Sequence, residues 1–208
     1  MKRILFFFMS LLAVLVGLIT FKYFFIGNQT IDPNKMDPFL FEQIVHFKDY
    51  IDELNPWFLL HIIFGSIAII IGWPQFLENF RKRHTDLHKL VGYIYSSAVF
   101  LGGIGGGYIA LKAVGGIPAQ AGFFCLSVIW VSTLFIAIVF LLKGNYQKHG
   151  LWLKINYAIT LAALTLRLEG AVFVFFGLEP EFSYQITAWS SWTGNLIILY
   201  AIEKWKTR

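Results

Sequence analysis

The chain has 208 residues, 57% hydrophobic and 14% charged, with a net charge of +5. A soluble domain carries about 25% charged residues, so this composition excludes an ordinary soluble domain, and the mean hydropathy of +0.65 agrees. The basic excess lies in short clusters at the ends of apolar runs, the pattern of a membrane bundle and not of a nucleic-acid-binding surface.

The first apolar run extends from Ile4 to about Phe25 behind Lys2 and Arg3. It has the basic start of a signal peptide, but it is longer than a signal core and no A-x-A-like site closes it. It is therefore expected to be an uncleaved signal anchor over 1–26 and the first of six spans; a cleaved leader is the alternative. Segment 27–56 follows as an extracytoplasmic loop. Asp37-Pro38 there is a cap and first-position proline, and Leu40, Ile44, Phe47 and Ile51 share one face. That pattern predicts an amphipathic helix in the outer interface, with His46 as an interfacial residue.

Residues 57–208 then form a five-helix core, with spans expected over 57–79, 88–112, 120–142, 149–176 and 182–203. The fold class is all-α, an integral membrane bundle. Lys2 and Arg3, then Arg81, Lys82, Arg83 and Lys89, then Lys143 and Lys148, then Lys204, Lys206 and Arg208 all fall on one side of a six-span topology. The positive-inside rule puts that side, and both termini, in the cytoplasm. Helical spans argue against an outer-membrane barrel, so a bacterial cytoplasmic (inner) membrane is the expected location. The lone Cys125 lies inside an apolar run and reads as a core thiol.

Helix phase sorts the unusual residues into stripes. His61, Gly65, Gly72 and Gln75 share a face of the second span. His88, Gly92, Tyr95, Gly102 and Gly106 share one on the third, where G-x-x-x-G pairs predict close helix packing or room for a flat ligand. His149, Asn156, Thr160 and Arg167 form the stripe of the fifth. An Arg near the bilayer centre costs about 3 kcal/mol on insertion scales, so this stripe is expected to face the protein interior. Lys154 is expected to snorkel to the cytoplasmic interface and Lys112 to the outer one.

Depth divides these residues into two candidate sites. The cytoplasmic one comprises His88, His149 and Gln75, with Tyr95, Asn156 and His84 nearby. Two neutral imidazoles at equal depth suit axial ligation of a haem b iron, with Arg81, Arg83 or Lys89 meeting its propionates. Structural or interfacial histidines are the plainer alternative. The outer site pairs His61 with Arg167, about 27 Å along the helix from His149. Arg167 suits an anionic head group or a quinone oxygen, with His61 exchanging a proton; a structural hydrogen-bonded pair is the alternative. Partners for Arg167 are sought in His61, Glu42, Glu179 or Gln185, because Glu169 does not share its face.

The pieces HIIFGSIAIIIGWPQF (61–76), HKLVGYIY (88–95), HGLWLKINYAIT (149–160), TLRLEG (165–170) and AWSSWTGNLIILYAIE (188–203) occur in a fixed order. Together they resemble a bacterial family of predicted multi-pass membrane proteins of unknown function, over about residues 55–203. The resemblance implies that His61, Gln75, His88, His149 and Arg167 stand at the family's recurring polar positions, and it brings no activity with it. Lys89 and Lys154 depart from the arginine more usual there. A weaker likeness is to six-helix b-type cytochromes of the ascorbate-reducible and ferric-reductase kind. The fourth span has no histidine, so at most one bis-histidine haem is implied, from His88 and His149.

Three functions are therefore expected to compete. The first is a haem redox protein exchanging electrons with a lipid-soluble partner such as quinone. The second is a binding or transport protein for a small anionic or lipid-like ligand, although no internal repeat supports transport. The third is a non-enzymatic accessory subunit.

Overall fold

The structure is a computed structural model that describes residues 56–206. The expected first span, the outer loop and its amphipathic helix lie outside the described residues. Helix α1 covers 56–72 and passes into a 3₁₀ turn, Trp73–Phe76. Pro74 tightens that turn, and the Leu77 amide closes it on the Pro74 carbonyl at 3.0 Å. A short exposed helix, α2 (Glu78–Arg83), follows. On it Lys82 pairs with Glu78 at 2.7 Å, and this hydrogen bond and charge hold the Glu78 carboxyl below its ordinary value.

The remaining helices are α3 (Thr85–Ala110), α4 (Gly116–Leu142), α5 (Tyr146–Thr160), α6 (Ala162–Phe175) and α7 (Pro180–Lys206). Their connections are short because each ends by a local device. At Gly144, with φ +69°, the Asn145 amide reaches back to the Phe140 carbonyl and the Gly144 amide to Leu141, a Schellman closure. The next residue, Asn145, then caps α5 by accepting from the Lys148 amide at 3.0 Å. Gly177 repeats the closure after α6, and the Glu179 carboxylate caps α7 through the amides of Glu181 and Phe182, with Pro180 as first helical residue.

Among the described residues four helical stretches are long and apolar enough to cross a membrane: Pro56–Phe76, Thr85–Ala110, Gly116–Leu142 and Tyr146–Phe175. The last consists of α5 and α6 and is interrupted at Leu161, a break the sequence pattern did not predict. Helix α7 has 27 residues, about 40 Å of length, but carries a polar face. Large apolar side chains such as Ile117, Phe135, Leu142, Phe175 and Ile197 point outward. In water such a surface would aggregate; here it is the surface of a membrane bundle.

The interior is built from Ala68, Tyr95, Ala98, Val99, Trp130, Leu134 and Ile159. Lipid tails are as apolar as these side chains, so close fit rather than burial from water holds such helices together. Glycines provide the fit between α1 and α3. A Cβ on Gly102 would lie 3.2 Å from the Gly65 amide nitrogen, and one on Gly105 only 2.6 Å from the Trp57 carbonyl. The helix backbones themselves are in contact there. The G-x-x-x-G face of the third span thus serves helix packing, one of its two expected uses. Gly122 does the same between α4 and α7, against Ala188.

Candidate functional site

The polar residues fall at three levels along the bundle. At the end carrying Arg81, Lys82, Arg83, Lys143 and Lys148, His88 and His149 each occupy the first turns of their helices, α3 and α5. They lie within electrostatic reach of one another, and Arg81 acts on His88 as well. The His149 Nδ1 stands 2.8 Å from the Ala137 carbonyl. A carbonyl only accepts, so Nδ1 carries the hydrogen, and in the neutral ring Nε2 keeps its lone pair. The His88 Nδ1 is buried and has no hydrogen-bond partner among the described residues. Gln75 donates to the His88 carbonyl at 3.3 Å, and the Phe80 ring meets the His88 ring edge-on at 6.2 Å between centroids. His84 is exposed beside Phe80, between α2 and α3.

Beneath this level lies an aromatic floor. Gly72 leaves room for Tyr157 and Tyr95, whose ring atoms would come within 2.6 and 2.7 Å of a Cβ there. Phe76 packs on Tyr157, and the Tyr157 hydroxyl donates to the Ile69 carbonyl at 3.1 Å. The floor ties α1 to α3 and α5.

The middle level is a buried hydrogen-bond network across α3, α4 and α5. Tyr95 donates to Asn156 Oδ1 at 2.7 Å, and Asn156 Nδ2 donates to the Trp130 carbonyl at 2.6 Å and to Thr133 Oγ1 at 2.8 Å. Trp130 Nε1 donates to Thr160 Oγ1 at 2.8 Å, and that hydroxyl lies 3.0 Å from both the Tyr95 hydroxyl and the Asn156 carbonyl. Thr133 finds the carbonyls of Ile129 and Trp130. Every side-chain donor in the set has an acceptor. Tyr95 and Asn156, expected to line a ligand site, therefore spend their polar atoms on one another and on α4.

The third level lies further from the basic end. His61 Nδ1 donates to the Gly102 carbonyl at 2.9 Å, which fixes its tautomer as at His149. Its ring fills the space left by Gly106, beside Ser127. The charge of Arg167 acts on His61 and on Tyr184. Arg167 also donates to the Ala163 carbonyl at 2.7 Å, one turn back on its own helix. Of the residues considered as its partners, Glu179 caps α7, and Gln185 donates through Nε2 to the Gly115 carbonyl at 3.0 Å. Glu42 lies outside the described residues.

The structure therefore brings together His88, His149 and Gln75 at one level and His61 with Arg167 at another, and separates the two by the Tyr95–Asn156 network. Sequence reading missed a polar seam along α7. Asn195 donates to the Ala158 carbonyl at 3.1 Å and accepts from Thr165 at 2.9 Å. Ser190 donates to Glu169 Oε2 at 2.6 Å. Lys154, expected to snorkel to the interface, pairs with Glu203 at 3.2 Å. The signal for the seam was present in the i, i+4 series Ser183, Thr187, Ser191, Asn195.

Among the described residues no three His, Cys, Asp or Glu side chains converge on a point where they could hold a metal ion. A porphyrin iron asks less, only two axial nitrogens. The chain has no significant match among curated proteins or among solved structures. One family model does match, across residues 58–202, the whole set of helices that carries these levels. The chain belongs to that family, DUF2306, described as predicted membrane proteins and of unknown function.

Proposed function

We propose that this membrane protein is a six-span bundle of a bacterial inner membrane, both termini cytoplasmic, that carries one b-type haem between His88 and His149. One observation carries the reading: two histidines stand in the first turns of different helices at one end of the bundle, one of them with a buried, unpartnered ring nitrogen among the described residues. The donor chemistry fits. His149 is oriented by a backbone carbonyl, the usual outer partner of a ligating histidine, and keeps a lone pair on its other nitrogen. The His88 Nδ1 is a buried nitrogen with no hydrogen-bond partner among the described residues, the state of a group built for a ligand. A haem held here would supply one-electron chemistry. The chain's own residues bind and orient: Ala137 fixes the His149 tautomer, Gln75 and Phe80 hold the start of α3, and Arg81 and Lys89 bring positive charge to the rim for propionates. The floor of Tyr95, Tyr157 and Phe76 closes the site toward the membrane centre. The lipid-soluble partner, a quinone, would meet the protein at His61 and Arg167.

The test is spectroscopic. Protein purified in mild detergent is expected to show a Soret band and, after dithionite, sharp α and β bands, with both lost in His88→Ala and His149→Ala. A featureless spectrum after haem supplementation, or a His149→Ala protein with a full haem complement, overturns it.

A second reading rests on Arg167 alone: a site for a small anionic or lipid-like ligand, bound or transported. What favours it is an arginine inside an apolar span whose charge acts on His61 and Tyr184. Saturable binding of a short-chain anionic lipid, abolished by Arg167→Gln in haem-free protein, would support it. A stoichiometric protein partner retained on gentle purification, with neither haem nor lipid bound, would instead make the chain an accessory subunit.

A further inference from the structure

The stretch Tyr146–Phe175 crosses the membrane as two helices, not one. Leu161 separates them with φ −71° and ψ −5°, and its carbonyl accepts from Leu164 in a tight turn at 3.0 Å and from Thr165 at 3.1 Å. The break falls halfway, after the 15 residues of α5 and before the 14 of α6. The local sequence NYAITLAALTL has neither Pro nor Gly, the common causes of a kink. Two threonines flank the break and bond back one turn along the chain, Thr160 to the Asn156 carbonyl and Thr165 to the Leu161 carbonyl, and Trp130 of α4 donates to the Thr160 hydroxyl.

The two halves belong to different neighbours. Helix α5 packs on α4, and α6 packs on α7. One side chain bridges them: Asn195 donates to the Ala158 carbonyl of α5 and accepts from Thr165 of α6. One turn away on α7, the hydroxyl of Ser191 is fully buried with no hydrogen-bond partner among the described residues.

We infer that this span is jointed at Leu161, and that α6 swings there as a gate on the level of His61 and Arg167, latched by Asn195. Helix α5 is the fixed half, anchored by the Tyr95–Asn156–Trp130 network. Helix α6 is the moving half and carries Arg167 with it. Opening separates Arg167 from His61 and admits a lipid-soluble molecule from the side. The gate rests on the outer-site reading only for what passes through it; the motion stands or falls without haem.

Distances between spin-label pairs test it, in a Cys125→Ala background. One pair spans the joint, at the exposed positions Leu151 and Val172; the other, Leu151 with Phe135, stays within the fixed part. The joint pair is expected to show a broader distribution than the reference, and Asn195→Ala to widen it at least twofold while the reference keeps its width. Thr165→Val removes one arm of the latch with little change of shape, and is expected to widen it less. If Asn195→Ala does not fold, Thr165→Val decides. Equally narrow distributions for both pairs in the wild type and in the folded variants overturn the gate. So does equal widening of both pairs, which reports general loosening.

Discussion

Asn156 is fully buried in a protein whose other interior groups are mostly apolar. Its amide uses both donors and its carbonyl on α3 and α4, so it works as a three-way clamp. An apolar replacement would remove all three bonds at once, leaving the Tyr95 hydroxyl only Thr160 and Thr133 only the carbonyls of its own helix. Net hydrogen bonds contribute about 0.5–1.5 kcal/mol each, so Asn156→Leu is expected to destabilise by about 2–4 kcal/mol. Tyr95→Phe removes one hydroxyl and leaves Asn156 most of its partners, so about 1 kcal/mol is expected, close to single interhelical bonds in membranes. Unfolding in mixed micelles measures both, and equal effects would contradict the clamp. The sequence showed that Asn156 and Thr160 are polar in an apolar helix. It did not show their partners, because Trp130 reads as one more apolar residue in a uniformly apolar fourth span. Only its neighbours Ser127 and Thr133 hinted at a polar face there.

Between elements, contact between α1 and α3 depends on glycines whose roles are unequal. A Cβ at Gly105 would lie 2.6 Å from the Trp57 carbonyl and 2.9 Å from the His61 amide nitrogen, both backbone atoms that cannot step aside. At Gly107 the nearest atom, Ser127 Cβ, is an ordinary 3.7 Å away. Gly105→Val is therefore expected to part the two helices and cost about 3 kcal/mol, the upper end of the usual range for overpacking. Gly107→Ala is expected to stay within about 0.5 kcal/mol of the wild type. Paired thermal unfolding in detergent would show this, and a tolerated Gly105→Val would mean that α1 does not sit this close. The spacing Gly102/Gly106 and Gly103/Gly107 announced a close contact from sequence alone. That Gly105 is the tightest point toward α1, while Gly107 is slack, depends on the crossing of the helices, which spacing does not encode. The break at Leu161 was hidden for a similar reason: neither Pro nor Gly marks it, and the bonds that accompany it, from Thr160 and Thr165 along the chain and from Trp130 of α4, show only in the fold.

For the molecule as a whole, the helices sort the charges onto two ends. Arg81, Lys82, Arg83, Lys89, Lys143 and Lys148 stand at one, with only Glu78 and Asp86 against them in the α2–α3 segment. The connections at the opposite end, after α3 and after α6, carry Lys112, Glu179 and Glu181. Short loops translocate less readily when they are rich in Lys and Arg, so the basic end is expected in the cytoplasm. With the basic end in the cytoplasm, the His88–His149 level is expected near the cytoplasmic face and the His61–Arg167 level toward the outer leaflet. Single cysteines in a Cys125→Ala background test the orientation at two turns, Lys143→Cys before Gly144 and Leu178→Cys after Gly177. A membrane-impermeant maleimide added to intact spheroplasts is expected to label Leu178→Cys at once and Lys143→Cys only after permeabilisation. The reverse pattern would invert the bundle and place the paired imidazoles at the outer leaflet. An electron donor for the proposed haem would then have to be sought outside the cytoplasm.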